Sequence, residues 1–257
     1  MSATRTLAVL ALGLAGQACA SPPPRWAPPP DHRADHAVLP LSSECSAVVV
    51  APAHALTAAH CVEEGAPLAL GSGAREIPVV ACAVHPRAYG EPRPCGAGPG
   101  AAVAAHDLAL LTLAEAVGVT PLDVLLADPG LSPDFWRGRA VRLVGWDRRP
   151  ALVGPLARRT GVNRVVVAAH GLLLTEPASA GGFATVIGDS GGPLLVRLGA
   201  EERVAGILRG GPAPASRRSL YAATYAPENA RWLAGALPPE RVEDLALDEG
   251  RPFGAAR

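Results

Sequence analysis

From about Val38 onward the chain is written in short apolar runs separated by turn residues: SAVVVA, APLALG, IPVVACAV, DLALLTL, AVRLVGW, RVVVAA, LLLTE, GPLLVRL, RVAGILR and LYAATY. Each run has the length of a strand, is rich in Val and Leu, and is followed or preceded by Gly or Pro, while no helical period is sustained through them. This pattern predicts an all-β barrel or sandwich. PENARWLAGAL, Pro227 to Leu237, opens instead with Pro and carries its apolar residues on one side, which predicts a helix. Beyond it, Pro238 to Arg257 is polar and charged and is expected to form a loose tail. No internal repeat is present.

The N-terminus has a different pattern. Arg5 precedes the apolar run Leu7 to Ala15, and Ala18-Cys19-Ala20 supplies small residues at the spacing a signal peptidase accepts. Residues 1–20 therefore predict a secretory signal peptide, too short to span a bilayer as a permanent helix. Cys19 permits a second reading, in which a lipoprotein peptidase cuts before it and a lipid anchor is attached to its thiol. SPPPRWAPPP follows, and residues 21–37 are expected to be a stiff Pro-rich linker ahead of a folded domain spanning 38–237.

Composition narrows the classes. With 257 residues, 49% of them apolar and 18% charged, the chain can bury a large core and is too apolar to be disordered as a whole. One unit of catalytic size fits, with room for two half-domains sharing a cleft. The net charge is zero, and the pairs Arg148-Arg149, Arg158-Arg159 and Arg217-Arg218 are scattered, so no basic stripe points to nucleic acid. Few aromatics accompany the apolar excess, which gives no sign of an oligomer. Past Cys19 stand four cysteines, Cys45, Cys61, Cys82 and Cys95. In an exported chain an even number points to disulfides, with three connectivities open; Cys45 and Cys61 bracket a hairpin-sized segment, which favours that pair. No pair has the close spacing of a zinc ligand set, no carboxylates cluster, and no metal or cofactor is expected.

Candidate chemistry gathers around TVIGDSGGPLLV, Thr185 to Val196. A serine hydroxyl attacks a carbonyl only when a base takes its proton, and that base works best when a carboxylate fixes its tautomer. Ser190 is the candidate nucleophile, His60 in ALTAAHC the base, and Asp107 in HDLALLTL the carboxylate, at the mouth of an apolar strand where an unpaired charge would be expensive to bury. The three lie in the order His, Asp, Ser with gaps of 47 and 83 residues. The Gly-x-Ser-x-Gly elbow of α/β-hydrolases also fits GDSGG, but that fold needs its histidine after the serine, and all seven histidines precede Ser190. A subtilisin order would need an aspartate before His60, where only Asp31 and Asp35 in the Pro-rich leader stand.

LTAAHC, DLALL and GDSGGP resemble segments of the chymotrypsin and trypsin family of serine proteases, and the resemblance runs from about Cys45 to Leu233, including VHPRAY, VTPL, VGW and the C-terminal YAATY with Trp232. It implies two six-stranded antiparallel β-barrels, with the active site in the cleft between them and a short C-terminal helix. It implies that His60 accepts the proton of Ser190, that Asp107 orients His60, and that the backbone N–H groups of Gly188 and Ser190 receive the oxyanion of a protein or peptide substrate. Asp189 would form a buried ion pair that shapes this loop. Cys45–Cys61 matches the disulfide beside the histidine; Cys82–Cys95 has no counterpart there and follows by elimination.

The departures from the family are as informative. No IVGG-type start precedes Cys45, so the partner of Asp189 is expected to be internal, as in bacterial relatives, with Arg142 or Arg148 the candidates. Ala184 stands at the base of the specificity pocket where trypsin-like members have Asp, and Gly211 and Ser219 align with its walls, so cleavage after small or medium apolar residues is expected. Arg209-Gly210-Gly211 replaces the usual SWG, Val186 stands in place of a pocket cysteine, and Arg209 beside Asp107 would compete with His60. The alternative to an active enzyme is a protease-like binding protein with a crippled site.

Overall fold

The computed structural model describes residues 33–63, 67–71, 75–126, 133–147, 156–179, 182–211 and 216–242. Twelve strands form two closed barrels. The first contains β1 (Val38–Leu41), β2 (Cys45–Ala51), β3 (His54–Thr57), β4 (Ala69–Leu70), β5 (Ile77–Val84) and β6 (Ala109–Leu113), hydrogen-bonded in the order β1-β2-β3-β6-β5-β4. After a one-turn helix α1 (Pro133–Trp136), the second contains β7 (Ala140–Asp147), β8 (Ala157–Ala169), β9 (Leu172–Pro177), β10 (Pro193–Leu198), β11 (Glu201–Gly210) and β12 (Ser219–Ala223), in the order β10-β11-β12-β9-β8-β7. Every strand pair is antiparallel, and helix α2 (Pro227–Ala236) closes the described chain. The expected two-barrel fold with a C-terminal helix is thus the observed one.

Closure explains why Val-rich runs suffice. A barrel has no open edge, and the inward residues of all six strands share one interior. The CSAVVVA strand β2 is buried at every position because one face fills the first barrel and the other meets the second. The first core accordingly extends across the junction: Val48, Leu56 and Leu111 belong to the same apolar cluster as Val144, Leu195, Ile207 and Leu233. A separate cluster of Trp136, Leu143, Leu173, Leu194 and Tyr221 fills the second barrel.

The packed chain begins earlier than the expected boundary at Val38. Residues Arg33–Ala37 form a 3-10 turn in which Ala34, Asp35 and Ala37 are buried. Asp35 is held there because its carboxylate pairs with the guanidinium of Arg142, which has no exposed surface and also binds Glu202, with Nε–Oε1 at 2.9 Å. Arg158 adds a bond from Nη1 to the Asp35 carbonyl at 3.2 Å. A buried guanidinium needs such compensation, and the end of the linker supplies it. Past helix α2, Arg241 Nη2 reaches Asp123 Oδ1 at 2.5 Å. The expected signal peptide at 1–20, with Cys19, and residues 21–32 lie outside the described residues, as does 243–257.

Helix α2 is anchored by an aromatic stack. His85, 2% exposed, lies parallel to His106 at 4.8 Å and edge-on to Trp232 at 5.0 Å, with Arg87 and Glu228 as its charged neighbours. Its Nδ1 accepts the N–H of Arg87 at 3.1 Å. Burial first, and the neighbouring His106 second, hold its pKa down at about 4. The unfolded chain takes up that proton near pH 6.5 and the folded one only near 4. Stability is therefore expected to fall as pH drops from 6.5 toward 4 and to be insensitive to this group above that window; denaturant midpoints across the range should fall less steeply for His85→Phe.

Candidate active site

His60 and Asp107 meet because β3 and β6 are neighbours. Their register pairs Thr57 with Ala109, so the turn leaving β3 and the turn entering β6 emerge side by side. His60 sits in the first, a 3-10 turn Ala59–Val62, and Asp107 directly follows the second, Ala104–His106. The Asp107 carboxylate has no exposed surface. Its Oδ1 accepts the backbone N–H of His60 at 3.0 Å, and its Oδ2 faces His60 Nδ1 at 2.8 Å. An ionised carboxylate only accepts, so this contact assigns the proton to Nδ1 and leaves Nε2 with a lone pair. The imidazole is 30% exposed, toward the cleft.

The turn before Asp107 is held from the other side of the molecule. Asn229, fully buried in α2, donates through Nδ2 to the carbonyls of Ala105 at 2.7 Å and Ala223 at 2.8 Å, and its Oδ1 lies 2.8 Å from His106 Nδ1. The C-terminal helix thus fixes the carboxylate that fixes His60.

Ser190 ends a loop shaped by Asp189. That carboxylate is also fully buried, and its Oδ2 accepts the N–H of Val186 at 2.8 Å and Nη1 of Arg159 at 3.0 Å. Arg159 donates Nη2 to the Ala184 carbonyl at 3.1 Å, stacks over Phe183 and comes within 3.8 Å of Asp147. The expected internal cation is therefore Arg159. Arg142 is committed to Asp35 and Glu202, and Arg148 lies outside the described residues. The β7–β8 register, which sets Arg159 opposite Gly145, decides the matter. Gly188, buried and two residues before Ser190, takes φ of +102°, a region that a side chain would strain.

Of the residues expected to form the specificity pocket, Ala184 is partly exposed and Gly211 exposed, while Ser219 is buried at the start of β12. Tyr221, two residues on, is also buried; burial first and the Asp189 carboxylate second push its hydroxyl far above the usual range. Asn163, which the sequence did not single out, braces the pocket base: its Oδ1 accepts the N–H of Phe183 at 2.9 Å and its Nδ2 donates to the Phe183 carbonyl at 3.0 Å, beside Ala184. Arg209 Nε lies 3.7 Å from Asp107 Oδ2, and its Nη2 donates to the Ala102 carbonyl at 3.2 Å. Asp107 nevertheless keeps both bonds to His60.

Two disulfides are present, Cys45–Cys61 and Cys82–Cys95. Potential ligand atoms of Cys45, His60 and Cys61 lie within 4.8 Å of one another. Both sulfurs are spent in the bond, so the cluster is a covalent brace beneath the histidine and offers no thiolate.

Removing the cation behind the nucleophile leaves Asp189 buried without its main compensation. Arg159→Ala is expected to destabilise the fold by about 3 kcal/mol and to slow phosphonylation of Ser190 by a fluorophosphonate, in which the serine oxygen displaces fluoride at phosphorus. Thermal melting and the labelling rate measure the two effects.

A family model described as Trypsin matches residues 29–233, from before the first strand to within helix α2. No curated protein matches the chain at a significant level. The match covers both barrels and every residue of the cleft described above. The chain belongs to the trypsin family of serine proteases.

Proposed function

We propose that the protein is an exported serine endopeptidase that cleaves peptide bonds through His60, Asp107 and Ser190 and an acyl-enzyme intermediate. The observation that carries this reading is the wholly buried Asp107, which receives both the backbone N–H and Nδ1 of His60. In that tautomer Nε2 takes the proton of Ser190 Oγ as the oxygen attacks the carbonyl carbon. The N–H groups of Gly188 and Ser190 bind the oxyanion, each donor of this kind contributing about 3 kcal/mol to the transition state. His60 then passes the proton to the leaving amine, and water repeats the sequence on the acyl group.

Nε2 lies 3.7 Å from Cys61 Sγ, and among the described residues no hydrogen bond joins it to Ser190. Such contacts tighten when substrate arrives.

Arg209 favours the weaker-catalyst reading to a limited degree. Its cation near Asp107 opposes the imidazolium that must form on His60 and lowers the rate without displacing the histidine. Arg159, by contrast, supports activity in the chain as folded. With a cation from β8 already on Asp189, no newly cut amino terminus is required. Export is supported by two disulfides in a trypsin-family domain. The signal peptide 1–20, with lipid on Cys19 as its variant, belongs to the same proposal.

Fluorophosphonate labelling tests the activity. Wild type is expected to label, Ser190→Ala not at all, and Asp107→Asn to lose about 10^4-fold in kcat by disturbing the tautomer; a folded wild type that stays unlabelled supports the binding protein. The absence of charge at Ala184, with the exposed Gly211 as a wall, supports small or medium apolar residues at the cleaved position. A peptide-library profile is expected to be dominated by Ala, Val or Leu there, and dominance of Arg or Lys would refute the assignment.

A further inference from the structure

Ser46 is the second residue of β2 and has no exposed surface. Three of its polar contacts reach elements far away in sequence, and a fourth reaches the neighbouring strand β3. The hydroxyl donates to the carbonyl of Gly188 at 2.7 Å and accepts the N–H of Trp146 at 3.0 Å. The backbone N–H donates to the carbonyl of Ser190 at 2.7 Å. Its own carbonyl accepts the hydroxyl of Thr57 at 2.8 Å. A serine hydroxyl has one proton, and with Trp146 donating to the oxygen that proton is directed at Gly188.

We infer that Ser46 is a positioning residue for the oxyanion-binding loop, holding the two residues whose N–H groups stabilise the transition state; the inference rests on the protease reading above. Both carbonyls it grips belong to those residues. Gly188, at φ of +102° and without a side chain, has two peptide planes free to swing. The hydroxyl fixes the plane on its C-terminal side, while the backbone bond fixes Ser190. Behind the loop, a Cβ on Gly191 would overlap the Ser46 carbonyl and the Thr57 hydroxyl, so the loop lies directly on this shelf. The shelf also carries the base, because Ser46 follows Cys45, which is bonded to Cys61 beside His60. One buried residue of the first barrel thereby sets the nucleophile loop of the second in register with the histidine. Electrostatic stabilisation demands donors already in place before charge develops.

Ser46→Ala removes the grip on Gly188 and keeps the backbone bond to Ser190. Steady-state hydrolysis of an Ala-Ala-Pro-Val anilide should show kcat lowered by about 10- to 100-fold, a fraction of what loss of a whole donor costs, with KM changed less than twofold. Affinity for the corresponding peptide aldehyde, whose adduct places an oxygen in the hole, should fall by the same factor, and affinity for the peptide amide should not change. Unchanged kcat in a folded variant, or equal losses for aldehyde and amide, overturns the role of Ser46. If Ser46→Ala does not fold, Ser46→Gly is judged by the same criteria. A wild type that fluorophosphonate does not label overturns the protease reading and this role together, whereas a labelled wild type confines any failure to Ser46.

Discussion

Asp189 imposes the constraint on which the cleft depends. A carboxylate with no exposed surface sits immediately before the nucleophile, and leaving it without a counter-charge would cost several kcal/mol. Its compensation dictates the local structure. Arg159 must arrive from β8, so the β7–β8 register cannot slip; the guanidinium must be supported, which Phe183 does through its ring. The same guanidinium holds the Ala184 carbonyl, and the carboxylate holds the Val186 N–H. With both ends of 184–189 tied to one ion pair, the chain has to turn sharply before Ser190, and Gly188 takes the left-handed conformation that turn requires. The shape of the loop before Ser190 is thus a by-product of neutralising a buried charge.

The second barrel supplies this loop and the first supplies His60, so the proposed reaction also needs the two barrels to be locked together. Apolar packing alone does not give that precision, since interfaces of Val, Leu and Ile slide at little cost. The polar contacts of Ser46 and Trp146 do: Trp146 donates its backbone N–H to Ser46 and its ring N–H to the Val38 carbonyl at 2.9 Å. Directional bonds across an apolar junction specify one relative placement of β2 and β7.

The sequence disclosed what is written in local pattern. The triad candidates stand in short, distinctive segments, and ten of the strands are recognisable as apolar runs. β1 escaped because Pro40 interrupts it, and β3 because it has four residues beside Pro52 and Ala53. The first half of β8, ARRTGVN, looks like a polar loop, because its side chains lie at a half-exposed barrel surface. Missing that half-strand concealed Arg159, whose role follows from register and from nothing in its neighbours. Asp35 was hidden by the Pro-rich composition around it, and Ser46 by the ordinariness of a serine after a cysteine. Long-range polar pairing has no periodicity, so only the folded geometry discloses it.

Arg209 shows how the two buried carboxylates differ. Asp189 has a cation in direct contact and no proton to manage, so its pair is static. In the proposed mechanism Asp107 serves a group that must gain and lose charge in each turnover, and a full counter-cation there would leave nothing to stabilise the imidazolium. The observed arrangement is intermediate: Arg209 Nε stands 3.7 Å away, with its side chain 38% exposed and one Nη held by Ala102. At that distance and with that much water, its interaction with Asp107 is far below the value for a buried contact pair and is screened by salt. His60 retains the shorter, doubly bonded approach. The carboxylate is therefore shared unequally, and the share left to the imidazole sets how far the proton can move toward it.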